Sequence, residues 1–71
     1  MYCSAEDLSR ITARESECLR HLAAGLRVRE LSEKMGISPK TAEKHIASAR
    51  LKLGAATREQ AVVMAIKFGL I

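Results

Sequence analysis

The chain has 71 residues, which is enough for one small domain but too few to enclose a substrate cleft. It contains one Tyr, one Phe and no Trp, so its core must be aliphatic, and no apolar run reaches the roughly 18 residues of a membrane helix. Cys3 and Cys18 lie apart without a Cys-x-x-Cys or histidine pairing, and the amino terminus lacks a signal-peptide pattern. We therefore expect a cytoplasmic protein with no metal site and no cofactor.

The basic charge is concentrated in the second half of the chain. Residues 1–37 carry six basic and six acidic side chains, whereas residues 38–71 carry six basic and two acidic ones. All of the net charge of +4 therefore lies beyond residue 37. A polyanion would be attracted to that half, although a solvated basic surface would have the same composition.

Residues 1–10 show no sustained apolar period, and we interpret them as a tail or the end of a linker. A capping box formed by Thr12 and Glu15 then predicts a helix that runs to about Ala24 and stops at Gly25. Apolar spacings of three and four residues predict the inward stripe of this helix to be Glu15 (through its aliphatic stem only), Cys18, Leu19, Leu22 and Ala23.

A second helix is predicted over Val28 to Met35, ended by Gly36. Arg27 stands where an N-cap is expected, which should cost of order 1 kcal/mol relative to Ser or Thr. The inward residues of this helix are predicted to be Val28, Leu31 and Met35. A turn of about three residues follows, with Ile37 pointing inward, and such a tight connection between helices is typical of a helix-turn-helix.

The third helix has marked ends, with Ser38 as N-cap, Pro39 in the first helical position and Gly54 as stop. Its apolar stripe at steps of four, three and four is Ala42, Ile46, Ala49 and Leu53. Its other face carries Lys40, Thr41, Glu43, Lys44, Ala47 and Ser48. A helix of about 15 residues that is apolar behind, and basic and small-residued in front, suits the major groove of DNA.

A last helix is predicted from a second capping box, in which Thr57 is the cap and Gln60 takes the role of Glu, to about Phe68 before Gly69. Its predicted inward residues are Ala61, Val62, Ala65 and Ile66. The sequence therefore predicts an all-α four-helix bundle that contains a helix-turn-helix.

These elements contain a pattern that resembles the LuxR-type helix-turn-helix DNA-binding domain of bacteria. The pattern is Thr12-x-Arg14-Glu15-x-Glu17-Cys18-Leu19, Ala24-Gly25, Glu30-Leu31-Ser32, Met35-Gly36-Ile37-Ser38, Thr41-Ala42, His45, Lys52-Leu53-Gly54 and Arg58-x-x-Ala61-Val62. The resemblance covers residues 11–71, which we take as the domain. The segment from residue 54 to residue 71, together with Glu15, Leu19 and Gly25, is most similar to the quorum-sensing branch, whose members carry an N-terminal domain for an acyl-homoserine lactone.

The resemblance implies a non-enzymatic bacterial transcriptional regulator that binds double-stranded DNA at the nucleoid. RNA polymerase is a possible partner, and no ligand is expected within this domain. Three positions depart from the family pattern. Arg27 replaces Ser, Thr or Asn, Ala42 replaces Val, and Glu43 stands at a position that is often basic or amide-bearing.

The resemblance also implies which side chains contact DNA. Glu43, Lys44 and Ala47 would face the bases, with Glu43 accepting from cytosine N4 and Lys44 donating to guanine. Alternatively, Glu43 only balances the charge of Lys44. The phosphate candidates are Arg27, Arg29, Lys40, Thr41, His45, Ser48 and Arg50, with Lys52 as a further one. Thr41 could equally bond its own backbone, and Lys52 could be plain surface.

The fourth helix of the family pairs two domains around a two-fold axis, and its corresponding face here would be Gln60, Val63, Met64 and Lys67. Ordinary scatter of exposed apolar residues is the alternative explanation of Val63 and Met64.

Two other functions fit parts of the sequence. Region four of a sigma factor has a similar helix-turn-helix but normally ends near Leu53, and a helical protein-interaction module would not need the basic half. An enzyme is not expected, because no Ser/His/Asp, Cys/His or paired-carboxylate set converges.

Overall fold

The computed structural model describes residues 10–71, and the regular structure in this range consists of four helices without a strand. The helices are α1 (Ala13–Ala23), α2 (Val28–Met35), α3 (Pro39–Leu53) and α4 (Arg58–Lys67). The predicted all-α fold with a helix-turn-helix is confirmed, and every helix begins and ends within about a residue of its predicted limits. The predicted tail, apart from Arg10, and Cys3 lie outside the described residues.

Local capping explains most of these boundaries. At α1, the Thr12 hydroxyl accepts from the Glu15 amide at 3.1 Å and the Glu15 carboxylate accepts from the Thr12 amide at 2.9 Å, which completes the predicted capping box. At α3, the Ser38 hydroxyl accepts from the Thr41 amide at 3.1 Å. Gly36 and Gly54 end α2 and α3 with φ of 69° and 71°, a left-handed conformation that favours glycine.

Two helix starts differ from the ideal cap. Arg27 precedes α2 without an acceptor atom in its side chain, and instead the Glu30 carboxylate accepts from the Arg27 amide at 2.8 Å. At α4 the Thr57 hydroxyl accepts from the Gln60 amide, but the Gln60 side chain accepts from the Ala56 amide at 2.7 Å. The predicted reciprocal bond from Gln60 to Thr57 is therefore wrong, because the loop folds so that the preceding amide meets the Gln60 oxygen.

The core consists of two clusters that meet on α3, which packs against all three other helices. The α1–α2–α3 cluster contains Cys18, Leu31, Met35, Ala42 and Ile46, and the α1–α3–α4 cluster contains Leu19, Ala49, Leu53, Ala55, Ala61 and Ala65. The four predicted stripe residues of α3 are thus all buried. Cys18 is a core residue, as predicted, and burial raises the pKa of its thiol.

Three predicted inward positions need correction. Ala23 on α1 is exposed, and Ile66 on α4 is 56% exposed, since the side of α4 that faces the core carries Ala61 and Ala65, with Val62 and Met64 packed beside them. Glu15 is buried through its carboxylate as well as its stem, with 3% of the residue exposed. A carboxylate can be buried to this extent because it is ion-paired, as described below.

Candidate nucleic-acid interface

The face of α3 opposite its buried stripe is a second stripe with the same spacing. Lys40, Lys44 and Ala47 are all exposed and lie two residues before Ala42, Ile46 and Ala49 of the buried stripe. A shift of two residues turns a helix by about 200°, so the two stripes lie on opposite sides. We call the exposed one the outward stripe.

Leu51 extends the outward stripe by one more turn and was not predicted as a site residue. Its side chain is 69% exposed, more than any other large apolar side chain in the described part of the chain. The spacing of four residues after Ala47 was the signal that could have identified it. The outward stripe therefore changes along its length, with two lysines at the amino-terminal end followed by Ala47 and Leu51.

One flank of the outward stripe faces α4. There the Glu43 Oε1 atom accepts from the Arg58 Nη2 atom at 2.7 Å, and both side chains are partly exposed. Arg50, on the same flank, donates from Nη1 to the Ala55 carbonyl at 3.0 Å and so supports the turn after α3. Of the predicted contact residues, Glu43 and Arg50 therefore already have partners within the domain.

The opposite flank carries Thr41, His45 and Ser48, all half-buried. The Ser38 hydroxyl donates to the Thr41 Oγ1 atom at 3.0 Å, so Thr41 bonds the cap side chain and keeps its own hydroxyl proton for an outside acceptor. His45 lies between the buried stripe and the exposed face of α3.

Lys52 forms part of a network beneath this flank. Its Nζ atom donates to both Glu15 carboxylate oxygens at 3.0 and 3.1 Å and to the Arg10 carbonyl at 2.9 Å. These bonds join the beginning of α1 to the end of α3. Lys52 was considered as a phosphate contact or plain surface from the sequence, and the structure gives it a connecting role within the domain.

Three neighbouring residues favour the ionised form of Glu15 although it is buried. Desolvation by burial opposes its charge, but hydrogen bonds from the Thr12 amide and the Ser48 hydroxyl, and the hydrogen bond and positive charge of Lys52, outweigh it. The pKa of Glu15 is therefore below its usual value. Ser48 contributes to this network from the face on which a phosphate contact was predicted.

Arg27 and Arg29 are exposed at the beginning of α2. The first amides of a helix favour an anion, and Glu30 already satisfies the Arg27 amide with a carboxylate. The two guanidinium groups remain directed to solvent beside this helix end.

The exposed apolar surface of α4 differs from the predicted dimer face. Val63 is 62% exposed and Ile66 is 56% exposed, while Gln60 and Lys67 are also exposed. Met64 is only partly exposed and packs against the α1–α3–α4 cluster. The apolar face is therefore centred on Val63 and Ile66, and Met64 belongs in part to the core.

A shallow groove runs beside this face between α1 and α4. It has a volume of about 260 Å³ and is lined by Leu22, Ala23, Arg58, Glu59 and Val62. Small-molecule pockets usually have volumes of roughly 300–1,000 Å³, so this groove is smaller than a typical ligand pocket.

Within residues 10–71 there is no group of three or more side chains suited to hold a metal ion. None of the helices described is both long enough and apolar enough to cross a membrane.

Comparison with known proteins identifies the family. The sequence profile of the bacterial regulatory proteins of the luxR family matches residues 9–65. The chain is 40% identical over 63 residues to the transcriptional activator protein BjaR1 of Bradyrhizobium diazoefficiens, covering 89% of this chain and 26% of that protein. It is 37% identical over 59 residues to the spore germination protein GerE of Bacillus subtilis, covering 83% of this chain and 80% of GerE.

The fold has a similar relative among solved structures. A structure of the Vibrio cholerae VqmA dimer, described as a LuxR-type receptor, superposes with a TM-score of 0.81 at 39% identity. The match covers 97% of this chain and 31% of VqmA. The chain thus spans about a quarter to a third of BjaR1 and VqmA. It belongs to the luxR family of bacterial regulatory proteins, a non-enzyme family, and forms the DNA-binding helix-turn-helix domain of a transcriptional regulator.

Proposed function

We propose that this domain reads double-stranded DNA by placing α3 in the major groove, with its outward stripe against the base edges. The observation that carries the proposal is the outward stripe itself, which is exposed along three turns while α3 is buried on its other side. The major groove admits one α-helix, and recognition helices usually contact bases through their amino-terminal residues. Lys40 and Lys44 occupy that end.

Lys44, Ala47 and Glu43 are the proposed base contacts. Lys44 would donate to guanine O6 or N7, and Ala47 would contact a thymine methyl. Leu51 offers a further apolar contact of the same kind. Glu43 would accept from cytosine N4, from the flank where Arg58 holds it.

The proposed phosphate contacts surround this stripe. Lys40 and the Thr41 hydroxyl lie at the amino-terminal end of α3, and Arg27 and Arg29 at the beginning of α2. His45, Ser48 and Arg50 complete the set. Arg50 has guanidinium N–H groups left after its bond to the Ala55 carbonyl, so it can donate to a second acceptor.

The test is DNA binding measured by fluorescence anisotropy between 50 and 200 mM salt, on a duplex selected by the wild-type chain from a random pool. Affinity should fall with a log–log slope of about −0.9 per neutralised phosphate. Lys40→Ala should weaken binding to every duplex and make the slope shallower by about one unit. Lys34→Ala, on the exposed end of α2, is the matched control with an unchanged slope. Affinity for the duplex that does not change with salt would contradict the proposal. A salt-insensitive interaction with a protein partner would instead favour a protein-interaction module.

We also propose that the domain binds DNA as a homodimer through α4. The exposed pair Val63 and Ile66, with Gln60 and Lys67 beside it, supports an apolar contact with a polar margin, to which Met64 contributes its exposed part. VqmA, the similar structure, is a dimer. Val63→Asp should weaken binding to a duplex with two half-sites more than to one with a single half-site. Equal losses on the two duplexes would contradict the dimer.

For the whole protein, we propose a quorum-sensing regulator that acts at the bacterial nucleoid in the cytoplasm. The resemblance of Glu15, Leu19, Gly25 and the last 18 residues to that branch supports it. BjaR1 is a transcriptional activator, which supports RNA polymerase as a further partner. Thermal stabilisation of the full-length gene product by an acyl-homoserine lactone tests this assignment, and a product without a lactone-binding domain would contradict it.

A further inference from the structure

The ion pair between Glu43 and Arg58 joins the proposed base-contacting surface to the first residue of α4. The two residues lie on different helices, and their side chains meet at 2.7 Å across the turn formed by residues 54–57. The Glu43 side chain is 48% exposed and the Arg58 side chain 39% exposed. Neither side chain contributes to the buried core.

A carboxylate on a DNA-contacting surface faces two physical difficulties. Phosphates on both sides of the groove repel it, and its flexible side chain loses conformational entropy when it is held against a base. A guanidinium that bonds the carboxylate reduces both effects, because it supplies a compensating charge and fixes the side chain before DNA arrives.

The geometry leaves the carboxylate able to accept a second bond. Arg58 bonds Oε1, and an ionised carboxylate has two oxygens with about four acceptor positions. Oε2 can therefore accept from an amino group such as cytosine N4 without release of Arg58.

We propose that Arg58 is a specificity-determining positioning residue, which selects a base pair by holding Glu43 rather than by touching the base. The proposal rests on the proposed insertion of α3 into the major groove. Arg58 was not assigned any DNA contact from the sequence, because its partner lies 15 residues earlier on another helix.

The experiment measures base preference, which a merely structural residue would not change at a single position. The 71-residue chain and three variants, Arg58→Met, Glu43→Gln and the double variant, are titrated against the selected duplex and its complete set of single base-pair substitutions. Arg58→Met and Glu43→Gln should each reduce discrimination about five- to tenfold, at the same base pair, with other positions unchanged. The double variant should lose no more than either single variant.

Arg58→Lys is a further variant, since it keeps the charge but not the fixed donor geometry. It should retain part of the discrimination at that base pair. Full discrimination in Arg58→Met would overturn the proposal. A uniform loss of affinity on all duplexes would also overturn it, if Arg58→Met makes the salt slope shallower by about one unit whether it is introduced into the wild-type chain or into the Glu43→Gln variant. Arg58 would then be a phosphate contact.

The two levels of inference fail differently. If the wild-type chain shows no preference among duplexes, the proposed reading through α3 fails, and the role of Arg58 fails with it. If the wild-type chain is selective and Arg58→Met remains equally selective, only the role of Arg58 is overturned.

Discussion

Within residues 10–71, two ion pairs connect α3 to other helices, one to α1 and one to α4, and they differ in burial more than in distance. Glu15 and Lys52 meet at 3.0 Å with side-chain exposures of 4% and 28%, whereas Glu43 and Arg58 meet at 2.7 Å with exposures of 48% and 39%. The shorter pair is the more exposed one. Water screens the exposed pair, so the short distance does not make it the more stabilising interaction.

The surroundings of the two pairs explain what each can do. Lys52 also donates to the Arg10 carbonyl, and Glu15 also accepts from the Thr12 amide. Together these bonds connect the beginning of α1 to the end of α3. Glu43 and Arg58 bond each other at the surface, beside the outward stripe. The comparison indicates that the Glu15–Lys52 pair fixes the position of α3 in the domain, while the Glu43–Arg58 pair is the one that we propose orients a carboxylate for contact with DNA.

The largest effect expected from this comparison is the loss of stability in Lys52→Met. Removing the ammonium leaves the Glu15 carboxylate buried with fewer partners, and we expect the free energy of unfolding to fall by about 2–3 kcal/mol. That is a large fraction of the stability of a domain this small. Urea unfolding followed by circular dichroism at pH 7 measures it.

Lys44→Met is the matched control for this variant, because Lys44 is an exposed lysine on the same helix. It should change the free energy of unfolding by no more than about 0.5 kcal/mol. If the two variants are equally stable, the network around Lys52 is not what holds α1 and α3 together.

The second prediction concerns pH. The pKa of Glu15 is lowered in the folded state from a reference value of 4.5, so its ionised form stabilises the fold above that pH and the contribution is lost as pH falls through the lower folded value. Glu15→Gln should therefore be less stable than wild type by about 1–2 kcal/mol at pH 7, and the difference should shrink below about pH 4.5.

Parallel urea titrations of wild type and Glu15→Gln at several values of pH from 7 to 3 measure this difference. Glu33→Gln, which removes an exposed carboxylate from α2, controls for the loss of one negative charge. A difference between wild type and Glu15→Gln that is the same at pH 3 and pH 7 would contradict the proposed ionisation of Glu15.

Features set by neighbouring residues were predictable from the sequence. Ser38, Pro39 and Gly54 mark the ends of α3 through local backbone chemistry, and a period of four, three and four residues identified its buried side. The same reasoning failed at Ala23, the last residue of α1, and at Ile66, because α4 is apolar at every position from 61 to 66. On such helices periodicity does not decide which side faces the core.

Contacts between helices were not predictable in the same way. Lys52 bonds a residue 37 positions earlier, and Arg58 bonds one 15 positions earlier. No local rule relates these residues, since the partners depend on how α1 and α4 pack on α3. Leu51 is intermediate, because its spacing after Ala47 was visible in the sequence while its exposure was not.

The smallest predicted effect is the change in stability of Arg58→Met, and it completes the comparison. An exposed ion pair contributes about 0.2–1 kcal/mol, so we expect a loss of about 0.5 kcal/mol in the free energy of unfolding, close to that of Arg20→Met on the exposed side of α1. Urea unfolding under the same conditions as for Lys52→Met measures it. A loss as large as that of Lys52→Met would mean that Arg58 also holds α4 against α3, and its influence on base preference would then follow from the position of α3. A small loss combined with lost discrimination at one base pair would separate the two ion pairs by function, because stability would depend on Lys52 and base preference on Arg58.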